Sequence, residues 1–176
     1  MDSRKEKAFN DAFEAYSDAL FRHASFRLSD RDRAYDLTQD TFFKAWDYVS
    51  GGGVIKHYKS FLYRILHNLI IDEYRKKKSG SLDELLENEA AAPAIEALMS
   101  QGSVQETEEA YDEEALVEKI RLRIPELPDD YRTTLTLRFI DGLSTAEIAD
   151  AIGVSKNVVS VRIHRGVEKL RSLCNI

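Results

Sequence analysis

Cysteine is nearly absent: the 176-residue chain carries one, Cys174, so no disulfide can form within it. One thiol and four scattered His offer no metal-ligand spacing, and Cys174 reads as inert packing near a chain end. Long apolar runs are missing too. The longest run of Leu and Ile, Leu69-Ile70-Ile71, is far below the roughly 20 apolar residues of a membrane-spanning helix. The opening Met1-Asp2-Ser3-Arg4-Lys5-Glu6-Lys7 lacks the apolar core of a secretion signal, so a reducing cytoplasm is expected. Gly (8) and Pro (3) are scarce, and apolar residues recur at spacings of three and four. Both features predict an all-α chain.

Catalytic signatures are lacking as well. No nucleophile elbow, phosphate loop or metal-ligand set occurs, which argues against an enzyme even if Asp36/Asp40 or His57/His67 is tried as an acid/base pair. No metal and no cofactor is expected.

Basic residues are missing from one stretch altogether. Taken alone, the formal charge of −6 disfavours nucleic acid, but its distribution is uneven. Residues 1–80 hold 15 basic and 12 acidic groups, residues 81–118 hold 12 acidic groups and no basic one, and residues 119–176 hold 10 basic and 7 acidic. Two mildly basic blocks therefore flank one acidic segment. The organisation expected is a helical domain over 1–79, a flexible acidic linker over 80–111 with a short helix near Pro93–Met99, and a second helical domain over 112–176.

What is present is helix punctuation. The first helix is expected over about 5–28, with Phe9, Ala12, Phe13, Tyr16, Ala19, Leu20 and His23 on one stripe and His23 as half-buried packing. Ser29, with Asp32 three residues on, is expected to cap a second helix that turns Ala34, Leu37, Thr41, Ala45 and Val49 inward. Gly51-Gly52-Gly53 must end that helix, and the loop to Lys59 is flexible or specially shaped. A third helix follows over about 60–78, with Leu62, Ile65, Leu66 and Leu69 inward and Arg75-Lys76-Lys77-Lys78 at its C-terminal end.

Beyond the linker, Leu116, Ile120, Ile124 and Leu127 are apolar before Pro128, and helices are expected over about 129–141, 145–152 and 156–173. Ser144 and Glu147 form a capping box, and Leu143 can staple onto Ile148. Ala149, Gly153 and Val159 then follow at helix-turn-helix spacing. With Val159, Ile163, Val167 and Leu170 inward, the last helix turns Lys156, Asn157, Ser160, Val161, Arg162, His164 and Arg165 outward, a face suited to bases and phosphates.

Two separate motif sets carry a resemblance. Leu127-Pro128-Asp129-Asp130-Tyr131-Arg132, Leu137-Arg138-Phe139, Gly142-Leu143-Ser144 and Glu147-Ile148-Ala149 resemble region 4 of the extracytoplasmic-function sigma factors of bacterial RNA polymerase. Ala34-Tyr35-Asp36-Leu37-Thr38-Gln39-Asp40-Thr41-Phe42 resembles region 2.2, and Phe61-Leu62-Tyr63-Arg64-Ile65, Asn68-Leu69-Ile70-Ile71-Asp72 and Arg75 resemble regions 2.3 and 2.4. The resemblance implies a dissociable polymerase subunit that selects promoters without covalent chemistry of its own. Its expected partners are core polymerase, through the β′ clamp helices and β flap, promoter DNA at the −10 and −35 elements, and an anti-sigma factor. No small-molecule substrate and no membrane insertion are expected.

Carried onto this sequence, the resemblance places clamp-helix contacts on Asp36, Gln39, Asp40, Phe43 and Trp46. Strand opening needs stacking aromatics and backbone cations, which Lys56, His57, Tyr58, Lys59, Phe61, Arg64, Asn68 and Arg75 supply; stacking contributes about 1–3 kcal/mol per base. Asp72 can pair along its own helix with Lys76. Three positions depart from the family pattern: Phe61 where Trp is common, Val158 where Thr is common, and Ser160 where a basic residue is common. The −35 sequence therefore does not follow by analogy. Three other readings compete: a stand-alone helix-turn-helix regulator with tight symmetric operator binding, an enzyme, and a sigma-like decoy that binds proteins only.

Overall fold

The computed structural model describes residues 3–28, 30–79 and 123–174. Among these are six α-helices and no strand: α1 (Ser3–Arg27), α2 (Arg31–Ser50), α3 (Tyr58–Ser79), α4 (Asp129–Leu135), α5 (Thr145–Ile152) and α6 (Lys156–Cys174). The acidic stretch, the helix expected near Pro93–Met99, Leu116 and Ile120 lie outside the described residues.

The N-terminal domain is α1–α3. The cap of α2 falls one residue later than expected: Asp30, in extended conformation, accepts a hydrogen bond from the Arg33 amide at 3.0 Å. A carboxylate at that position satisfies a free amide and meets the positive end of the helix dipole at once, which gives Asp30 the advantage over the neighbouring hydroxyl. Ala34, Leu37, Thr41, Ala45 and Val49 are all buried as expected. Arg33 also reaches α3, donating from Nε (2.9 Å) and a terminal nitrogen (2.8 Å) to one oxygen of Glu73. That hydrogen bond raises the Arg33 pKa and lowers that of Glu73.

The inward stripe of α3 is rotated from the expected one. Leu62 and Leu66 are buried, but the other inner places go to Tyr63 and Ile70, while Ile65 and Leu69 are only half-buried. The rotation has a cause: α3 is packed on α1 and α2 on one side and on α5 on another, so its apolar surface must be wider than one stripe.

The C-terminal domain opens with a 3₁₀ turn, Ile124–Glu126, that buries Ile124 and Leu127. α4 widens at its end into a π-helical segment, Thr136–Ile140, with Asp141 behind it. Three hydroxyls on this stretch, Thr133, Thr134 and Thr136, are buried; Thr134 and Thr136 donate to the carbonyls four residues back. α6 crosses α4 closely at Gly166, where an added Cβ would lie 2.9 Å from a Leu135 methyl.

Two apolar clusters hold the molecule. The smaller, Ile124, Leu127, Leu135, Val167 and Leu170, lies within the C-terminal domain. The larger runs from Leu20, Leu37, Leu62 and Leu66 into Leu137, Leu143, Ile148 and Val159, so it bridges the two domains. Polar bonds line the same seam. No described helix is long and apolar enough to cross a membrane.

Candidate nucleic-acid and polymerase interface

The helix-turn-helix is built by local rules. Ser144 Oγ accepts from the Glu147 amide at 3.2 Å, and the Ser144 amide donates to Glu147 at 2.8 Å, so the capping box is complete. Burial pushes the Glu147 carboxyl up, but the two Ser144 hydrogen bonds, with Lys59 and His57 nearby, more than offset it and leave the pKa lowered. Leu143 and Ile148 are fully buried on either side of the cap. Gly153 turns the chain in the left-handed region (φ 72°), its amide donating to the Ala149 carbonyl at 3.0 Å. Ser155 Oγ accepts from the Val158 amide, and Val159 is fully buried.

This geometry turns one face of α6 outward. Lys156, Asn157, His164 and Arg165 are exposed, whereas Ser160 and Val161 are half-buried. Arg162 is different: its guanidinium is 3.0 Å from Asp130 on α4 and its side chain is largely covered. His164 sits 3.5 Å from Glu168, one turn on.

The loop before α3 is shaped. Gly52 has φ 97°, Gly53 donates to the Tyr48 carbonyl, and Lys5 donates to the carbonyls of Gly52 and Gly53. Lys56 and His57 are exposed, and Tyr58, Lys59 and Phe61 half-buried. Phe61 packs on Tyr48 with ring centroids 5.2 Å apart, and burial raises the Tyr58 pKa. Arg64, Asn68 and Arg75 are exposed along α3. Asp72 is 3.9 Å from Arg75, both well exposed. Lys59 and Arg64 are engaged with the other domain: Lys59 Nζ donates to the Gly142 carbonyl (3.0 Å) and Arg64 Nε to the Asp150 carbonyl (2.6 Å).

On α2, Asp36, Gln39 and Asp40 are exposed, and Phe43 is 70% exposed. Trp46 is half-buried and packs edge-on against Phe9 of α1 at 4.9 Å. Beside this face lies an open groove of about 560 Å³ between α1 and α2, lined by Phe13, Phe21, Tyr35 and Phe42 together with Arg31 and Gln39. Motif reading missed the groove. Phe13, expected on the inward stripe of α1, is instead about half exposed because it turns toward this groove, and Tyr35, about half exposed on α2, faces it from a helix whose inward stripe is already filled.

His23 was expected as half-buried packing. It is fully buried and bonded, Nδ1 lying 2.7 Å from Asp141 Oδ2 across the domain seam. His67, half-buried at the same seam, is lowered to about 4 by burial and by the neighbouring Arg27 and His23.

Comparisons with known proteins agree on both halves. Residues 12–80 match the model of sigma-70 region 2, and residues 118–170 match that of sigma-70 region 4. The chain is 33% identical over 168 residues to the ECF RNA polymerase sigma factor SigW of Bacillus subtilis, covering 94% of this chain and 88% of that one. It is 32% identical to the RNA polymerase sigma factor SigZ of the same organism, over 93% of this chain and 85% of the other. Its fold is similar to that of RpoE from Bartonella quintana, solved with the anti-sigma factor NepR (TM-score 0.64, 20% identity, 97% of this chain and 98% of that one). It is also similar to CnrH, solved with the cytosolic domain of CnrY (TM-score 0.63, 23% identity, 97% and 89%).

Proposed function

Because the chain belongs to the extracytoplasmic-function sigma factors of bacterial RNA polymerase, we propose a residue-level division of labour for its part in promoter-specific initiation. The outward face of α6 reads the −35 element. Asn157, Ser160 and Val161 meet base edges, Lys156, His164 and Arg165 meet base or phosphate, and Arg162, largely covered and bonded to Asp130, holds the helix angle. Lys56, His57, Tyr58, Phe61, Asn68 and Arg75, joined by Lys59 and Arg64 once these leave the other domain, hold the opened −10 strand by stacking and charge.

Core polymerase docks on the α2 face. Asp36, Gln39, Asp40 and Phe43 make the contact, and Trp46 supports it from behind through Phe9. The β′ clamp helices are the partner proposed for this face and the β flap for the C-terminal domain. The protein works in the cytoplasm, performs no catalysis itself, and is held by an anti-sigma factor, the kind of partner that accompanies RpoE in its structure.

The observation that carries this reading is the pairing of a doubly capped helix-turn-helix, with four polar or basic side chains exposed on its second helix, and a separate aromatic and basic face on α3. A stand-alone regulator needs only the first and is not favoured. The test is reconstitution with core RNA polymerase and mapping of transcript starts over the host's genomic DNA. Promoter-specific starts that vanish with Asn157→Ala and Arg165→Ala are expected; starts that survive both substitutions unchanged overturn the α6 assignment.

A further inference from the structure

The two DNA-facing surfaces are not equally available. Lys156, Asn157, His164 and Arg165 on α6 are exposed, whereas on α3 two of the proposed strand-holding cations are occupied by the C-terminal domain itself. Arg64 donates to the Asp150 carbonyl near the C-terminal end of α5, where the helix dipole favours a cation. Lys59 donates to the Gly142 carbonyl and sits 3.8 Å from Glu147 of the capping box.

A second set of bonds, away from any proposed DNA contact, holds the same arrangement. His23 and Asp141 are 2.7 Å apart with both side chains under 5% exposed. Arg27, its side chain buried, donates to Asp129 at 2.8 Å and to the Thr133 hydroxyl. These five polar groups face each other across the domain seam: His23 and Arg27 one turn apart on α1, and Asp129, Thr133 and Asp141 along α4 and its π-helical end. Beneath them runs the apolar cluster shared by α3 and α5.

We propose that these bonds are a latch: the free chain closes its C-terminal domain over α3, so the −10 surface is withheld until the His23–Asp141 and Arg27–Asp129/Thr133 contacts part. The physics suits a latch better than a permanent joint. A buried ion pair gains little net free energy, because desolvation offsets most of its attraction, yet it strongly specifies one geometry. Separation returns the buried His23, Arg27 and Asp141 side chains to water, where Asp129 already is, so opening leaves no buried charge unpaired. The inference rests on the assignment of Lys59 and Arg64 to the −10 strand.

The test uses the full chain with Cys174→Ser and spin labels at the exposed positions 11 and 172, one in each domain. Pulsed electron resonance should give one short, narrow distance distribution for the otherwise unaltered chain. Asp129→Arg with Asp141→Asn, neither residue being part of a proposed DNA contact, should broaden it toward longer distances. The same substitutions should tighten binding of a fluorescein-labelled random-sequence single-stranded 20-mer at least fivefold, and Lys59→Ala with Arg64→Ala in that background should abolish the gain. If the first pair of substitutions prevents folding by circular dichroism, Asp129→Leu with Thr133→Val removes both side-chain acceptors of Arg27 at nearly constant volume and carries the same expectation. A distance that stays short in a folded variant overturns the latch. A distance that lengthens with no gain in oligonucleotide binding overturns the withholding of α3 and, with it, the assignment of Lys59 and Arg64 to the −10 strand.

Discussion

Tyr48 lies over Gly53 so closely that a Cβ on the glycine would meet its ring at 2.4 Å. The same ring packs on Phe61, so one glycine seats the aromatic pair at the start of α3. Gly53→Ala is therefore expected to cost about 1 kcal/mol, at the low end for overpacking because Tyr48 is half exposed and can swing away. Denaturant unfolding measures the cost. Displacement of Tyr48 should also weaken promoter opening in reconstituted holoenzyme, read as a slower appearance of permanganate-reactive thymines, with closed-complex formation unchanged.

Phe43 and Trp46 stand three residues apart on α2 and should respond oppositely to truncation. Phe43 is 70% exposed, so Phe43→Ala should leave the melting temperature within about 1 °C while reducing affinity for core polymerase several-fold. Trp46 packs on Phe9, and Trp46→Ala should cost about 2–3 kcal/mol of stability, below the value for a fully buried aromatic. Thermal unfolding beside a core-polymerase titration separates the two. Equal effects of the pair on stability would contradict the assignment.

Gly153 has left-handed backbone dihedrals and nothing within 4 Å of where a Cβ would sit. Gly153→Ala therefore tests conformation alone, and a loss of about 1–2 kcal/mol is expected from the strained turn. Because the turn sets the angle of α6, −35-dependent starts should fall more than starts on a promoter that depends on the −10 element only.

The pH dependence of stability should show two windows. His67 is depressed to about 4 from an ordinary value near 6.5, so the folded protein disfavours its protonation. Its neutral form lends stability that is full above about pH 6.5 and is lost as pH falls from there toward 4. Glu73 and Glu147, both lowered, contribute stability present above their unfolded value near 4.5 and lost only as pH falls further through their folded values. Chemical denaturation between pH 6.5 and 5 should thus report chiefly on His67, and His67→Gln should flatten that part of the curve while leaving the drop below pH 4.5 in place.

Much of this protein is readable from short stretches of chain. The capping box of Ser144 and Glu147, the turn at Gly153 and the inward positions of α2 follow from hydrogen bonds and spacings within a few residues, so local pattern suffices for them. Charge patterning is likewise a property of the string, and it separates two basic blocks from an acidic one. Even here a cap moved from Ser29 to Asp30, because neighbouring polar residues compete for the same amide.

The burial of His23 and Arg27, the rotation of the α3 stripe and the engagement of Lys59 and Arg64 were not readable in that way. Their partners lie 118 residues away for His23, 106 for Arg27 with Thr133, 83 for Lys59 and 86 for Arg64. Periodicity and capping act over one or two helical turns, so they assign each helix an inner face but not a second neighbour. Only the docking of one domain on the other turned a histidine expected as half-buried packing, an arginine at a helix end and two cations proposed to hold DNA into a shared seam.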